Sequence, residues 1–310
     1  MKRLDETAAG VFIICVTPFK ATGELDLTSA ENMVEFYLAR GATGLTLLGM
    51  MGEAPKLTVG ESVAFVECVL ARVAGRVPVV VGLPNAGLAS MAELSTAVMA
   101  AGAAGVMVAP PSHLRSDAQI RGYFTQVAMA IGKDTPFVLQ DFPLVTTVTI
   151  SPQTLMQIIA DNPNCVMLKH EDWPGLNKLS ELRNAQASGA MRPISILVGN
   201  GGMFLPDELA RGANGAMTGF AYPEMMAEVL AAWQAGAAER ARDLFDAYLP
   251  LVRYEQQPGL GLAVRKHILA LRGAIACATL RLPAPVLSAV DIADIEYLID
   301  RQARRLQALG

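Results

Sequence analysis

Eight short apolar runs recur along the chain, at residues 11–16, 44–48, 77–81, 105–108, 137–139, 165–168, 194–198 and 215–217. Each is strand-sized. Between them lie longer stretches, at 29–39, 60–73, 89–101, 120–131 and 152–160, whose apolar residues return at helical spacing. Alternating strands and helices require a parallel sheet, because parallel neighbours can be joined only through a crossover. A repeat fixes the count of units. Arg40-Gly41-Ala42-Thr43-Gly44, Ala101-Gly102-Ala103-Ala104-Gly105 and Arg211-Gly212-Ala213-Asn214-Gly215 each end a helix and begin a strand, and their first glycines are 61 and 110 residues apart. That is about two and four units of roughly 30 residues, the size of one strand plus one helix. In each copy the first glycine suits a left-handed helix cap, and the second leaves room for helix and strand to pack closely. Eight units closing on themselves give the α/β class and the (β/α)8 TIM barrel, usually about 250 residues long. An open doubly wound sheet is the alternative, but no Gly-x-Gly-x-x-Gly follows the first run.

Past Tyr222 the pattern becomes purely helical, at 224–235, 237–254, 260–272 and 289–309. Residues 1–222 are therefore read as the barrel. Residues 223–310 are read as its last helix plus a C-terminal helical extension packed on it, with Pro283-Ala284-Pro285 breaking the chain before the final helix.

The sixth run ends in a lysine. In Asn164-Cys165-Val166-Met167-Leu168-Lys169-His170-Glu171-Asp172 the strand period of two turns Met167, Lys169 and Glu171 to one face and Leu168 and His170 to the other. A lysine held among apolar neighbours loses proton affinity, and lowering its pKa from about 10.4 to about 7 costs roughly 4 kcal/mol. Such an amine can attack a ketone and form a Schiff base. The same period puts Val138, Gln140 and Phe142 together at the end of the fifth run. His170 is expected to face the helices. In a barrel the site lies where the strands end, so Gly49-Met50-Met51-Gly52-Glu53, Gly199-Asn200-Gly201-Gly202 and Thr218 are the other residues to weigh. The glycines after the second run would let backbone N–H groups approach a carboxylate. Glycine-rich loops after strands seven and eight often hold a phosphate, and tight turns are the plainer reading. Glu53 suits capping a backbone N–H better than moving protons.

With 52% hydrophobic and 17% charged residues, the 310-residue chain has ample material for one large core. A net charge of −4 without a basic stripe argues against nucleic acid. Cys15, Cys68, Cys165 and Cys277 are scattered in apolar surroundings, and His113, His170 and His267 form no ligand pair, so neither disulfides nor a metal is expected. No cofactor is called for. The apolar run after Lys2 and Arg3 is too short for a signal peptide, and no stretch is long enough for a membrane span, which makes the cytoplasm the default location.

From Thr17-Pro18-Phe19 through Gly23-Glu24-Leu25-Asp26, the Gly49-to-Glu53 loop and Pro143 to Lys169, the chain resembles the dihydrodipicolinate synthase and N-acetylneuraminate lyase family of Schiff-base-forming barrels. The resemblance implies an imine between Lys169 and a small-molecule 2-oxo acid, with the backbone of Met50 and Met51 holding the carboxylate. It also implies a homodimer or homotetramer. The departures argue against dihydrodipicolinate synthesis. The loop's usual two threonines are Met50 and Met51, the proton-relaying tyrosine falls at Gln140, the arginine for a second carboxylate falls near Val145, and a neighbouring subunit's tyrosine falls near Ser112. A closer likeness is to the 2-keto-3-deoxy-L-arabonate dehydratase branch, through Gln140-Asp141-Phe142-Pro143, Lys169 with Glu171, Asn177-Lys178-Leu179, Gly215-Ala216-Met217-Thr218-Gly219 and Leu249-Pro250-Leu251. The expected activity is dehydration, or retro-aldol cleavage, of a 2-keto-3-deoxy sugar acid. Lys169 would be the nucleophile, Glu171 the acid and base, and Gln140 the residue orienting a water or the leaving hydroxyl. Gly49, Met50, Met51, Gly199, Asn200 and Thr218 would bind substrate, the two methionines narrowing the pocket. The rivals are a non-catalytic 2-oxo acid binder and a cyclic imino acid deaminase.

Overall fold

The computed structural model describes residues 2–310 except 85, 86 and 174. Its elements are β1 (Gly10–Ile14), α1 (Leu27–Leu38), β2 (Gly44–Leu47), α2 (Val59–Val73), β3 (Val79–Gly82), α3 (Leu88–Ala100), β4 (Gly105–Val108), α4 (Asp117–Ile131) and β5 (Phe137–Asp141). There follow α5 (Pro143–Thr146), α6 (Pro152–Asp161), β6 (Cys165–His170), α7 (Leu176–Ala187), β7 (Ser195–Val198), α8 (Leu205–Ala210), β8 (Gly215–Thr218), α9 (Glu224–Gln234), α10 (Ala238–Glu255), α11 (Gly261–Leu271) and α12 (Ala289–Leu309). The eight strands are parallel and close in chain order, β8 pairing with β1, so the chain is a (β/α)8 barrel with helices around it.

Each apolar run of the sequence becomes one strand because it is covered on both sides. Residues turned inward, among them Phe12, Ile14, Val80, Met107, Val138, Met167, Leu197 and Met217, form a core inside the cylinder. Their neighbours, such as Ile13, Leu139, Leu168 and Ile196, join the helices in a larger outer core. Fully burying side chains of this kind contributes about 1.5–3 kcal/mol each. Helix starts are set locally. Thr58 with Glu61, Ser116 with Gln119 and Ser288 with Asp291 form reciprocal capping boxes for α2, α4 and α12, and Asp26 and Ser151 cap α1 and α6.

The repeated glycines divide their work differently from expectation. Gly41, Gly102 and Gly212 have positive φ (84°, 107° and 89°), as the left-handed cap requires. The second glycines make room for neighbouring strands and not for helices. A Cβ on Gly44 would lie 2.4 Å from the Phe12 ring, one on Gly105 2.8 Å from the Pro136 carbonyl oxygen, and one on Gly215 1.9 Å from that of Gly10. The periodicity also passes over α7, whose sequence offers only Leu179 and Leu182 as buried apolar residues, and over α5 and α8, which are too short to show a period. Beyond β8, α9 packs against β1, and α10 lies across α8, α9 and α12.

Candidate active site

Parallel pairing sets Gln140 of β5 beside Lys169 of β6, on the same inward face as Val138 and Met167. Glu171, one step past the end of β6, follows Lys169 on that face. Lys169 Nζ lies 3.0 Å from Glu171 Oε2, with the two side chains only 6% and 5% exposed. The Gln140 amide donates to the same oxygen at 2.7 Å. Asn200 steadies the other side of the glutamate. Its backbone N–H points at Glu171 Oε1 at 3.4 Å, and its side-chain amide donates to the Glu171 carbonyl at 3.2 Å.

Gly199 is what lets this glutamate turn inward. A Cβ at that position would stand 2.1 Å from Glu171 Cγ, so any larger residue evicts the carboxylate. The strand-two loop reaches the same space from the opposite wall. Gly49 comes close to Ile14 and Met107 of the inner core, Met51 packs on that core, and Met50 is partly exposed. The loop turns through a tight helical turn at Met50–Gly52, and among the described residues the N–H groups of Met50 and Met51 have no acceptor. Thr46, paired with Ile14 and Val80 on the inner face beneath this loop, carries a buried hydroxyl that also has no partner. Sequence reasoning passed over Thr46, although it is the one polar residue of an apolar run.

Thr218 is not brought to the lysine. It follows Met217 of the inner core on the opposite face of β8, and its hydroxyl accepts from the Gly201 N–H at 2.8 Å, tying the strand-seven loop down. Glu53 faces away as well. It takes Lys266 at 2.6 Å and Lys56 at 3.0 Å, and accepts from the Arg281 N–H at 3.0 Å, clasping the strand-two loop to the C-terminal segment.

The outer faces of β5 and β6 carry a second set of charges, and His170 faces the helices there as expected. Lys178 of α7 sits 2.8 Å from Asp141 and 2.8 Å from Asp172, and His170 Nε2 meets the Gly175 carbonyl at 2.9 Å. Burial raises the Asp141 carboxyl to about 6, against the pull of Lys178, and lowers His170 to about 4. A neutral histidine and a lysine bridging two carboxylates thus hold α7 to the backs of the two strands whose fronts carry Gln140, Lys169 and Glu171. Among the described residues no cluster of histidine, cysteine and acidic side chains could hold a metal, and no helix is long and apolar enough to cross a membrane.

Comparisons with known proteins agree over nearly the whole chain. The profile of the dihydrodipicolinate synthetase family matches residues 7–300. An L-2-keto-3-deoxyarabonate dehydratase of Azospirillum brasilense is 32% identical over 304 residues, 97% of this chain and 95% of the relative. The 4-hydroxy-tetrahydrodipicolinate synthase 1 of Streptomyces coelicolor is 34% identical over 83% of this chain and 82% of its own. Among solved structures, a dihydrodipicolinate synthase from Rhodopseudomonas palustris superposes with a TM-score of 0.95 at 46% identity, covering 97% of this chain and all of the other. YagE, a prophage protein of the dihydrodipicolinic acid synthase family from E. coli K12 in complex with pyruvate, gives 0.86 at 25% identity, covering 95% and 98%.

Proposed function

The chain belongs to the dihydrodipicolinate synthetase family of lyases, and from that membership we propose that it dehydrates a 2-keto-3-deoxy sugar acid, or cleaves one by a retro-aldol step, through an imine on Lys169. The observation that carries the reading is the buried contact of Lys169 with Glu171, itself held by Gln140, on the inner face of the barrel. In this scheme Glu171 takes a proton from the lysine, and the free amine attacks C2 of the substrate. Glu171 returns that proton as the carbinolamine loses its hydroxyl as water, leaving an iminium that acidifies the C3 protons and a carboxylate ready to act as base. Glu171 removes one of them, and the enamine expels the C4 hydroxyl as water with the proton that Glu171 returns. Hydrolysis of the imine then frees the product and restores the amine.

Gln140 positions Glu171 in this reading, which differs from the expected role on the leaving hydroxyl, because its amide is already committed to that carboxylate. The open N–H groups of Met50 and Met51 suit the substrate carboxylate. Asn200 and Gly199 serve by shaping Glu171. The likeness to a dehydratase over 97% of the chain supports dehydration, and Gln140 and Val145 speak against the synthase reaction of the other relatives. Assembly as a homodimer or homotetramer belongs to the same proposal and is read by sedimentation. A product assay across 2-keto-3-deoxy pentonates and hexonates tests the activity. A dehydrated 2-oxo acid supports the proposal, pyruvate plus an aldehyde selects the retro-aldol branch, and binding without turnover or ammonia release from a cyclic imino acid selects a rival.

A further inference from the structure

We propose that Thr46 is a substrate-binding residue whose hydroxyl, facing Lys169 across the barrel, donates to the carboxylate of the 2-oxo acid. This rests on the imine reading of Lys169 and adds a side-chain donor to the two backbone N–H groups of the strand-two loop.

The pairing register fixes where Thr46 stands. In a closed barrel of eight strands β2 and β6 lie opposite each other. On one side Thr46 meets Ile14, Ile13 meets Thr218, Ala216 meets Val198 and Val198 meets His170, so the line of pairs from Thr46 through β1, β8 and β7 arrives on β6 at residue 173. On the other side Thr46 meets Val80, Val80 meets Gly105, Val106 meets Phe137 and Phe137 meets Cys165. That line arrives at residue 164, or at 165 once the β5–β6 irregularity is counted. The stagger of a closed barrel makes such a line spiral, climbing one way round and descending the other, so equal height lies midway between the two arrivals. Lys169 is there. The same count sets Met107 of β4 and Met217 of β8, both in the inner core, at that height. Thr46, Met107, Lys169 and Met217 thus form one layer of four side chains from alternate strands.

Thr46 is fully buried, and among the described residues its hydroxyl has no hydrogen-bond partner. A hydroxyl held in apolar surroundings without an acceptor costs free energy, and a valine of the same shape would avoid that cost. Its layer offers two thioethers and an amine that Glu171 already engages. The acceptor it suits is therefore one that Lys169 brings to it. A 2-oxo acid joined to the lysine through C2 carries its carboxylate on the adjacent carbon. The open N–H groups of Met50 and Met51 follow four and five residues after Thr46, where β2 runs into its loop. Hydroxyl and N–H groups thus approach from the β2 wall while Lys169 holds C2 from the β6 wall. A hydrogen bond to a charged acceptor is about twice as strong as one between neutral groups, which makes the carboxylate the part of the substrate that gains most.

The test compares the full chain with Thr46→Val and Thr46→Ser in borohydride trapping of pyruvate and of its uncharged methyl ester, beside thermal unfolding. Thr46→Val should need pyruvate concentrations higher by about 10- to 10²-fold for half-trapping, with the adduct still complete at saturation. The ester should lose less, Thr46→Ser should restore most of the pyruvate affinity, and the melting temperature of Thr46→Val should hold or rise because an unsatisfied hydroxyl has gone. Unchanged pyruvate trapping in Thr46→Val overturns the inference, as does an equal loss for acid and ester. A fall in melting temperature alongside the loss of affinity overturns it too, since that marks a hydroxyl serving the fold. Calorimetric titration of pyruvate without reductant separates the two claims. If the unmutated chain gives no adduct, the imine reading fails, while weaker calorimetric binding in Thr46→Val still upholds the contact and equal binding removes it.

Discussion

Lys266, Lys178 and Arg265 are buried cations outside the strands, and Lys169 is a buried cation within them. Each of the first three meets at least two protein oxygens. Lys266 has Glu53 at 2.6 Å and the Thr279 carbonyl at 2.9 Å, Lys178 has two carboxylates at 2.8 Å, and Arg265 has Glu255 and the Gly219 carbonyl, both at 2.6 Å. Among the described residues Lys169 has one polar partner, Glu171 Oε2 at 3.0 Å, and must share it with Gln140. Burying a charge is costly, so a cation that serves the fold is surrounded by acceptors, whereas one that serves chemistry keeps its nitrogen free to leave its partner. The outer pairs also tie elements together: Glu53 to Lys266 joins the strand-two loop to α11, and Glu255, paired with the nearby Arg265, fixes the backbone after β8 through the Ala221 N–H.

The difference can be broken by exchanging the consequences of mutation. Lys169→Met should reduce turnover to background and abolish reductive trapping, while thermal unfolding changes little, because Gln140 and the Asn200 N–H still hold Glu171. A large loss of stability there would erase the distinction. Lys178→Met should do the reverse, costing about 3–5 kcal/mol in denaturant unfolding by leaving Asp141 and Asp172 unpaired, with an adduct still formed by the folded fraction. Burial holds the Asp141 carboxyl near 6 against the pull of Lys178, and removing Lys178 raises it further, so the part of the loss due to Asp141 should shrink as the pH falls toward 6, where the acid becomes neutral in both proteins.

Glu171→Gln should lower kcat by on the order of 10²–10⁴-fold and leave trapping of pyruvate measurable, which steady-state kinetics beside mass analysis would show. Gly199→Ala, whose methyl would meet Glu171 Cγ, should cost up to about 10²-fold in kcat by displacing the same carboxylate. The smallest effect belongs to Glu208 of α8, a buried acid raised to about 8 by burial first and by Asp207 and Glu171 after it. The native state binds its proton more tightly than the unfolded chain, so stability declines as pH rises from the ordinary 4.5 toward 8. Glu208→Gln should flatten the melting temperature across that window, and an unchanged slope would place the pH dependence elsewhere.

The sequence disclosed the barrel because each strand is covered on both faces and so reads as an unbroken apolar run. It disclosed the pairing of Lys169 with Glu171 because a period of two puts them on one face. Thr218 misled because only its position after a strand was weighed, and the inward turn of Met217 assigns it to the other face. The helix α7 escaped notice since its buried side includes the charged Lys178. The clasp at Glu53 has no local signature, for Lys266 and the Arg281 N–H come from far along the chain in the closed fold. Gly199 reads in the sequence as a substrate-binding residue of a glycine-rich loop, with a tight turn as the alternative, and its reason, space for a neighbouring carboxylate, exists only once β6 and β7 lie side by side.

The most direct measurement is mass analysis of the protein after borohydride treatment with pyruvate, followed by peptide mapping. The account predicts one added reduced pyruvate per chain, located on Lys169. An adduct on another lysine, or none at saturating pyruvate, would contradict it.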